Sequence, residues 1–393
     1  MEISDLRIAL FSGNYNCVRD GANRALNTLV GYLLRNGAAV RVYSPTIDKP
    51  AFPPTGDLVS IPSIPIPRRP EYRFAFGLTP SVRRDLRTFA PTHIHLSVPD
   101  PSNHAALAIA RRTNVPAVAS VHTRFDTYFR YYGLAFFEPI AEAIMRRFYR
   151  RCDAIFAPSE SMAQILRDQR MSYDVGIWTR GVDRDIFKPE RRDPAWRRSL
   201  GIDDDEPVIG FVGRIVAEKG LDIFAETVDQ LTARGIRHRV VVIGEGPARG
   251  WFEQRLPGAR FAGYQTGDAL GRAVASLDML FNPSVTESFG NVTLEAMACG
   301  VPVVAADAAG SSSLIEDGVN GRLVRPGATH SFAEALADYC TGPDLRRAAA
   351  EAGLAAAANY GWDQVNATLV EGYFRVARQR QGGSGGAPPV AAP

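Results

Sequence analysis

The segment Ser284 to Gly300, Ser-Val-Thr-Glu-Ser-Phe-Gly-Asn-Val-Thr-Leu-Glu-Ala-Met-Ala-Cys-Gly, sets two carboxylates on either side of a helix start. It follows an apolar strand and opens its helix near Gly290, where the N–H groups of Gly290 to Val292 and the helix dipole suit a phosphate. Glu287 lies in the loop before that helix and Glu295 about a turn inside it, so the pair brackets an anion. Glu287 is placed to accept sugar hydroxyls and Glu295 a ribose diol. The same two residues also read as a solvated loop acid and a capping acid. A second cluster, Gly-Phe-Val-Gly-Arg-Ile-Val-Ala-Glu-Lys-Gly at 210 to 220, carries Arg214 and Lys219 in a loop at the carboxyl end of another strand. Two cations and a helix N-terminus can spread the charge of a departing diphosphate without a metal. A solvated loop is the alternative.

Other candidates carry less chemistry. Asp183 and Asp185 flank Arg184, and Asp203 to Asp205 form an acidic run, but both lie in a boundary segment where turn or capping roles are expected rather than Mg or Mn. His93 and His95 share one face of a strand without a third ligand, which favours strand-end packing over a metal site. Gly244-Glu-Gly-Pro-Ala-Arg-Gly250 follows a strand but has its last glycine one residue late for a dinucleotide fingerprint. Two stretches of helical period, Val82 to Phe89 and Ala141 to Arg151, interleave Arg83, Arg84, Arg87, Arg146, Arg147, Arg150 and Arg151 with Leu86, Phe89, Ile144, Met145, Phe148 and Tyr149. Such basic amphipathic helices can rest on anionic lipid; they also read as a solvated outer face.

These residues need a frame. Short β-rich runs at Arg7 to Phe11, Ala39 to Tyr43, Ile94 to Leu96, Ala117 to Val121 and Ala154 to Ala157 alternate with helical segments such as Asn23 to Asn36. The rhythm breaks around Arg180 to Asp193 and restarts with Val208 to Val212, Arg239 to Ile243, Arg260 to Phe261, Met279 to Phe281 and Val301 to Ala305, separated by helices such as Leu221 to Ala233. That is an α/β chain of two Rossmann-like, doubly wound domains facing a cleft, with ligands expected beyond the carboxyl ends of the strands. The expected boundaries are a first domain over 1–183, a second over 184–362, a helix over 363–380 packing back toward the first domain, and a disordered tail over 381–393.

A length of 393 residues fits two domains, and 46% hydrophobic with 22% charged residues excludes general disorder. The 45 basic against 42 acidic residues leave too small a surplus to argue for a nucleic-acid partner. Cys17, Cys152, Cys299 and Cys340 form no C-x-x-C pair, so a reducing compartment is expected. The acidic Met-Glu-Ile-Ser-Asp start and the shortness of every apolar run argue against a signal peptide or a spanning helix.

Gly-Arg-x4-Lys-Gly at 213 to 220, strand-Gly-x-Gly-Pro at 244 to 247, and Glu-Ser-Phe-Gly-Asn-Val-x-Leu-Glu-Ala-Met-Ala-x-Gly at 287 to 300 together resemble retaining glycosyltransferases of family 4, which have the GT-B fold. Asp20-Gly21 before a helix, Ser-Val-His-Thr at 120 to 123 and Trp-Thr-Arg-Gly-Val-Asp at 178 to 183 resemble the subgroup of lipid mannosyltransferases and sulfoquinovosyltransferases. Relatives often have two glycines in the first loop, where this chain has Asp20 before the single Gly21.

The resemblance implies roles. Gly213, Arg214 and Lys219 hold the donor diphosphate, with Gly21 a less secure contact. Glu287, Ser288 and the backbone of Phe289, Gly290, Asn291 and Val292 hold the donor sugar, and Glu295 the ribose. His122 reaches the sugar from the first half, and Asp20 either orients the acceptor hydroxyl or caps a loop. The departing phosphate itself takes the incoming proton, so configuration is retained without a protein nucleophile, cofactor or catalytic metal. The implied reaction moves a hexose, mannose from GDP-mannose being favoured, from a nucleotide-diphosphate sugar to a lipid or glycolipid acceptor at the cytoplasmic face of a membrane. A UDP-sugar donor, a soluble glycan acceptor, a nucleotide-sugar epimerase and a non-catalytic nucleotide-sugar-binding subunit are the competing readings.

Overall fold

The computed structural model describes residues 1–66, 69–122 and 138–382. Two compact units divide the chain, one comprising Met1–Thr179 and Asp363–Pro393, the other Arg180–Trp362. The first junction thus falls at 179/180 rather than 183/184, because Val182 already pairs with Gly361 of the second unit.

In the first unit the strands are β1 (Arg7–Phe11), β2 (Ala39–Ser44), β3 (Asp57–Ser60), β4 (Ser63–Ile66), β5 (Arg69–Ala75), β6 (His93–Leu96), β7 (Ala117–Ser120), β8 (Ala154–Ala157) and β9 (Val175–Ile177). Seven of them form a parallel sheet in the order β3-β2-β1-β6-β7-β8-β9, while β4 and β5 make a separate antiparallel hairpin. Its helices are α1 (Gly21–Arg35), α2 (Pro80–Phe89), α3 (Pro101–Arg112), α4 (Glu138–Tyr149) and α5 (Glu160–Asp168). Strands such as Ala154–Ala157 are buried at every position, the pattern of a parallel sheet covered on both faces.

The second unit contains β10 (Val208–Val212), β11 (Arg239–Ile243), β12 (Arg260–Gly263), β13 (Met279–Asn282), β14 (Val303–Ala306) and β15 (Gly321–Val324) in the parallel order β12-β11-β10-β13-β14-β15. Its helices are α6 (Pro194–Ser199), α7 (Leu221–Ala233), α8 (Arg249–Arg255), α9 (Gly267–Ala275), α10 (Asn291–Ala298), α11 (Thr329–Thr341) and α12 (Pro343–Ala357). The order reverses between β10 and β13, and the carboxyl ends of these two strands are where such sheets bind their ligands. Leu221, Phe224, Val228 and Leu231 put one face of α7 into the core beside Phe211, Phe252 and Phe281.

The last helix, α13 (Trp362–Gly382), belongs to the first unit. It is longer than the expected 363–380, and Gln381 and Gly382 continue it instead of starting a tail. Arg380 clamps it to Asp153 at 2.8 Å and Arg375 to Asp174 at 2.8 Å. Residues 383–393 and Thr123 fall outside the described residues. No helix among the described residues is long and apolar enough to cross a membrane.

Candidate functional site

The loop after β10 and the loop after β13 meet at the reversal point of the second sheet. Lys219, at the end of the short 3-10 turn Ala217–Lys219, donates from Nζ to Glu287 Oε1 at 2.9 Å. Thr286 Oγ1 donates to the Glu218 carbonyl at 3.3 Å and fastens the same two loops. Both ends of the ion pair are largely buried, Lys219 at 26% and Glu287 at 12% side-chain exposure, so the pair is sheltered from screening. The sequence assigned Lys219 to a diphosphate and Glu287 to a sugar as separate groups. The fold joins them, and each neutralises the other. Arg214 differs, being exposed and making no ion pair with any described residue.

Helix α10 begins immediately beyond. Gly290 is its N-cap in a left-handed conformation with φ 92°, and no side chain caps the helix. The first intrahelical bond runs from Leu294 N–H to the Gly290 carbonyl, so the N–H groups of Asn291, Val292 and Thr293 have no partner within the helix. Phe289 is buried against Tyr360 with ring centroids 6.0 Å apart, leaving only its backbone for a ligand. Ser288, Asn291, Val292 and Glu295 are half-buried.

Two glycines set how closely the surrounding loops approach. A Cβ on Gly244 would lie 1.9 Å from the Gly213 carbonyl oxygen, so Gly244-Glu-Gly-Pro acts as a wedge against the Arg214 loop. Gly213 N–H donates to Ile243 O at 3.0 Å and Ile215 N–H to Glu245 O at 3.0 Å, locking that contact. The sequence reading missed the second glycine, Gly310, in the turn after β14. A Cβ there would sit 2.7 Å from the Glu287 carbonyl, and the Gly310 carbonyl lies 3.3 Å from where a Cβ on Gly290 would be. The Ala-Ala-Gly-Ser-Ser run that carries it is a visible turn signal but names no partner.

In the first unit, Asp20 is the N-cap of α1, its Oδ1 accepting from Asn23 N–H at 2.8 Å, and Gly21 is the first helical residue. Asp20 thus makes the capping contact that one of its two readings expects. His122 follows β7, with Nε2 2.8 Å from Ser120 Oγ. Its ring packs edge-on to Trp178 at 5.7 Å. His95 joins the same group through Ser120 Oγ at 2.7 Å, and His93 Nε2 lies 3.0 Å from the Tyr373 carbonyl of α13. Burial lowers His95 to about 3 and His93 to about 4, so both stay neutral and serve the interior of the unit.

The acidic candidates are held by the backbone and by arginines. Asp183 Oδ1 accepts from the N–H of Asp185 at 3.1 Å, Asp204 pairs with Arg198 at 2.8 Å, and Asp205 with Arg237 at 2.6 Å. Among the described residues no group of His, Cys, Asp and Glu is arranged to hold a metal ion.

The basic helices do not present the apolar faces expected of them. Leu86, Phe89, Met145, Phe148 and Tyr149 are all in the core, and only Ile144 of that set is exposed. Arg146 donates to the Gln169 carbonyl at 2.9 Å and Arg150 to that of Arg170 at 2.8 Å, tying α4 to the turn after α5. An apolar face that the sequence reading passed over lies on the β4–β5 hairpin, where Ile64, Ile66, Phe74 and Phe76 are exposed. Ile64 stands directly across from Phe74, while Ile66 lies past a shift in register and Phe76 just past the end of β5. Asn14, in the loop after β1, clasps the hairpin by accepting from Arg73 N–H at 2.7 Å and donating to its carbonyl at 3.2 Å.

Residues 206–341 match the family described as "Glycosyl transferases group 1" and residues 19–186 that described as "Glycosyltransferase Family 4". A GDP-mannose-dependent alpha-mannosyltransferase of Mycolicibacterium smegmatis is 32% identical over 81% of this chain and 84% of its own length. Another from Corynebacterium glutamicum is 33% identical over 68% of this chain, and the sulfoquinovosyl transferase SQD2 of Arabidopsis thaliana 33% over 67%. The matched stretch spans 63% and 53% of the length of these latter two relatives. The fold is similar to that of sucrose-phosphate synthase from Thermosynechococcus elongatus, with TM-score 0.77 at 17% identity, covering 95% of this chain and 99% of that one.

Proposed function

The chain belongs to glycosyltransferase family 4 and has the GT-B fold, and from that membership we propose that it moves a hexose from a nucleotide-diphosphate sugar to a lipid or glycolipid acceptor with retention of anomeric configuration. Mannose from GDP-mannose is the favoured donor, because relatives at 32% and 33% identity carry that activity in their names. The observation that carries the reading is the Lys219–Glu287 pair set before the uncapped start of α10, with exposed Arg214 on the adjoining loop. In the proposed reaction Arg214, Lys219 and the N–H groups at 290–292 spread the charge of the departing diphosphate. Glu287 holds sugar hydroxyls and Glu295 the ribose, and His122 is proposed as a further sugar contact. The leaving phosphate oxygen takes the acceptor proton, so the chemistry needs no nucleophile, and metal independence is part of the proposal.

A thermal-shift panel of GDP, UDP and their sugars tests this. The preferred nucleotide at 100 times its dissociation constant adds about 2.7 kcal/mol. GDP and GDP-mannose are expected to give the largest shifts, and turnover to persist in excess chelator with an α-linked product by proton NMR. An inverted product removes the reading, a UDP-only response moves the donor, and sugar isomerisation without acceptor makes the protein an epimerase.

For the acceptor side we propose contact with an anionic membrane surface through the β4–β5 hairpin, and so a peripheral place on the cytoplasmic face. The exposed Ile64, Ile66, Phe74 and Phe76 supply the apolar contact, and Arg83, Arg84 and Arg87 on α2, reached directly from β5, supply the charge complement. The clasp of Asn14 sets this surface beside the β1 loop that leads to Asp20. The four free cysteines fit a reducing compartment. In vesicle sedimentation the protein is expected to bind anionic more than zwitterionic lipid and to release as salt rises. Phe74→Glu with Phe76→Glu should abolish binding while donor affinity stays unchanged. Sedimentation of that variant equal to the parent's removes the hairpin from the interface.

A further inference from the structure

We propose that Tyr373, His95 and Ser120 form a one-way hydrogen-bond relay that holds His122 as the tautomer protonated on Nδ1, making His122 a neutral hydrogen-bond donor rather than a general base. The relay runs from Tyr373 Oη to His95 Nδ1 at 2.6 Å, from His95 Nε2 to Ser120 Oγ at 2.7 Å, and from Ser120 Oγ to His122 Nε2 at 2.8 Å. All four residues are buried, Tyr373 and His95 completely.

The direction follows from counting protons. The Tyr373 hydroxyl has one proton, and among the described residues its only hydrogen-bond partner is His95 Nδ1. A buried hydroxyl proton without an acceptor is costly, so Tyr373 donates and His95 Nδ1 is bare. His95 is kept neutral by burial, so its single ring proton sits on Nε2 and is donated to Ser120 Oγ. Ser120 Oγ, already accepting, turns its own proton to His122 Nε2. The ring proton of neutral His122 is therefore on Nδ1. The opposite direction would strand the Tyr373 proton at the buried end of the chain.

The frame around the relay is rigid. Trp178 packs edge-on against His95 at 6.0 Å and His122 at 5.7 Å, which opposes rotation of either ring. His93 Nε2, 3.0 Å from the Tyr373 carbonyl, ties the same turn of α13 to β6. The final helix thereby becomes a positioning element for a residue that follows β7, and Tyr373, His95 and Ser120 are positioning residues acting through His122.

The role in transfer rests on the proposed contribution of His122 to the sugar; the tautomers do not. The full chain labelled with ¹⁵N-histidine, read by long-range ¹H–¹⁵N correlation and assigned by single-histidine variants, reports each ring nitrogen. His122 is expected to be protonated on Nδ1 and His95 on Nε2. Ser120→Ala should mix the His122 tautomers and leave His95 unchanged, whereas Tyr373→Phe, which keeps the ring, should disturb both. Tyr373→Phe should also lower kcat about tenfold with donor KM within about twofold, as expected for loss of one hydrogen bond expressed in the transition state. His122 protonated on Nε2 in the parent, or tautomers untouched in both variants, overturns the relay. If the tautomers are as stated but His122→Ala keeps full turnover, the proposed role of His122 in transfer fails while the relay stands.

Discussion

Replacing Lys219 by alanine is expected to slow turnover by about 10²- to 10³-fold, the scale of removing one preorganised charge-stabilising donor. The expectation exceeds the loss of a single contact because of what the substitution leaves behind. Glu287 is paired to Lys219 at 2.9 Å with 12% of its side chain exposed, so without the lysine an uncompensated carboxylate faces the position proposed for the diphosphate. Repulsion of the donor then adds to the lost stabilisation of the leaving group. The double variant Lys219→Met, Glu287→Gln removes both charges and is expected to be no slower than the worse single variant. Such non-additivity is the mark of groups acting as a unit. Full additivity, or Lys219→Ala within about twofold of the parent, would show that the ion pair only fastens two loops.

The largest effect on stability is expected at Arg197. Its side chain is 2% exposed and donates to Asp278 Oδ2 at 2.8 Å, to the Ser276 carbonyl at 2.9 Å and to the Glu206 carbonyl at 2.6 Å. Asp278 also pairs with Arg192 at 2.7 Å and accepts from Val208 N–H at 2.8 Å, so one carboxylate joins α6 to the start of β10 and the entry to β13. Asp278 keeps Arg192, but Arg197→Ala strips its Oδ2 and the Ser276 and Glu206 carbonyls of a buried charged donor and should cost about 3–5 kcal/mol. For a unit of this size that lowers the melting temperature by roughly 6–20 °C. Burial works against the charge on Asp278, but Arg192 and Arg197 hold its carboxyl below the ordinary range. The unfolded chain therefore takes up this proton at higher pH than the folded one. The contribution is fully present above an unfolded value of about 4 and is lost as pH falls through the folded one. Denaturant curves should accordingly show the gap between parent and Asp278→Asn closing below about pH 4. A gap constant with pH, or a shift in melting temperature under about 2 °C for Arg197→Ala, would exclude this account.

The architecture was largely legible because it is written locally. Val208–Val212, Arg239–Ile243 and Ala154–Ala157 are apolar runs bounded by polar turns, and Leu221–Ala233 has an unbroken helical period, so read and observed bounds coincide. Runs buried on both faces with helices between them leave little choice but parallel strands. The helix start at Asn291, the Arg214–Lys219 loop and the family resemblance were likewise legible, since each is a short contiguous stretch.

Partners distant along the chain were decided by the tertiary structure. Lys219 and Glu287 are 68 residues apart and meet because β10 and β13 are neighbours at the reversal of the sheet. Tyr373 reaches His95 across 278 residues because α13 returns to the first unit. The arginine helices show the limit from the other side. Their pattern is the same whether the apolar face meets lipid or a core, and here Phe148 and Leu86 lie in the core. The β4–β5 hairpin shows it again, since pairing sets Ile64 across from Phe74 on one face but cannot say whether that face is covered. Periodicity along a chain specifies an element and its faces. What each face meets depends on strand order, helix return and chain crossing, which no local pattern encodes.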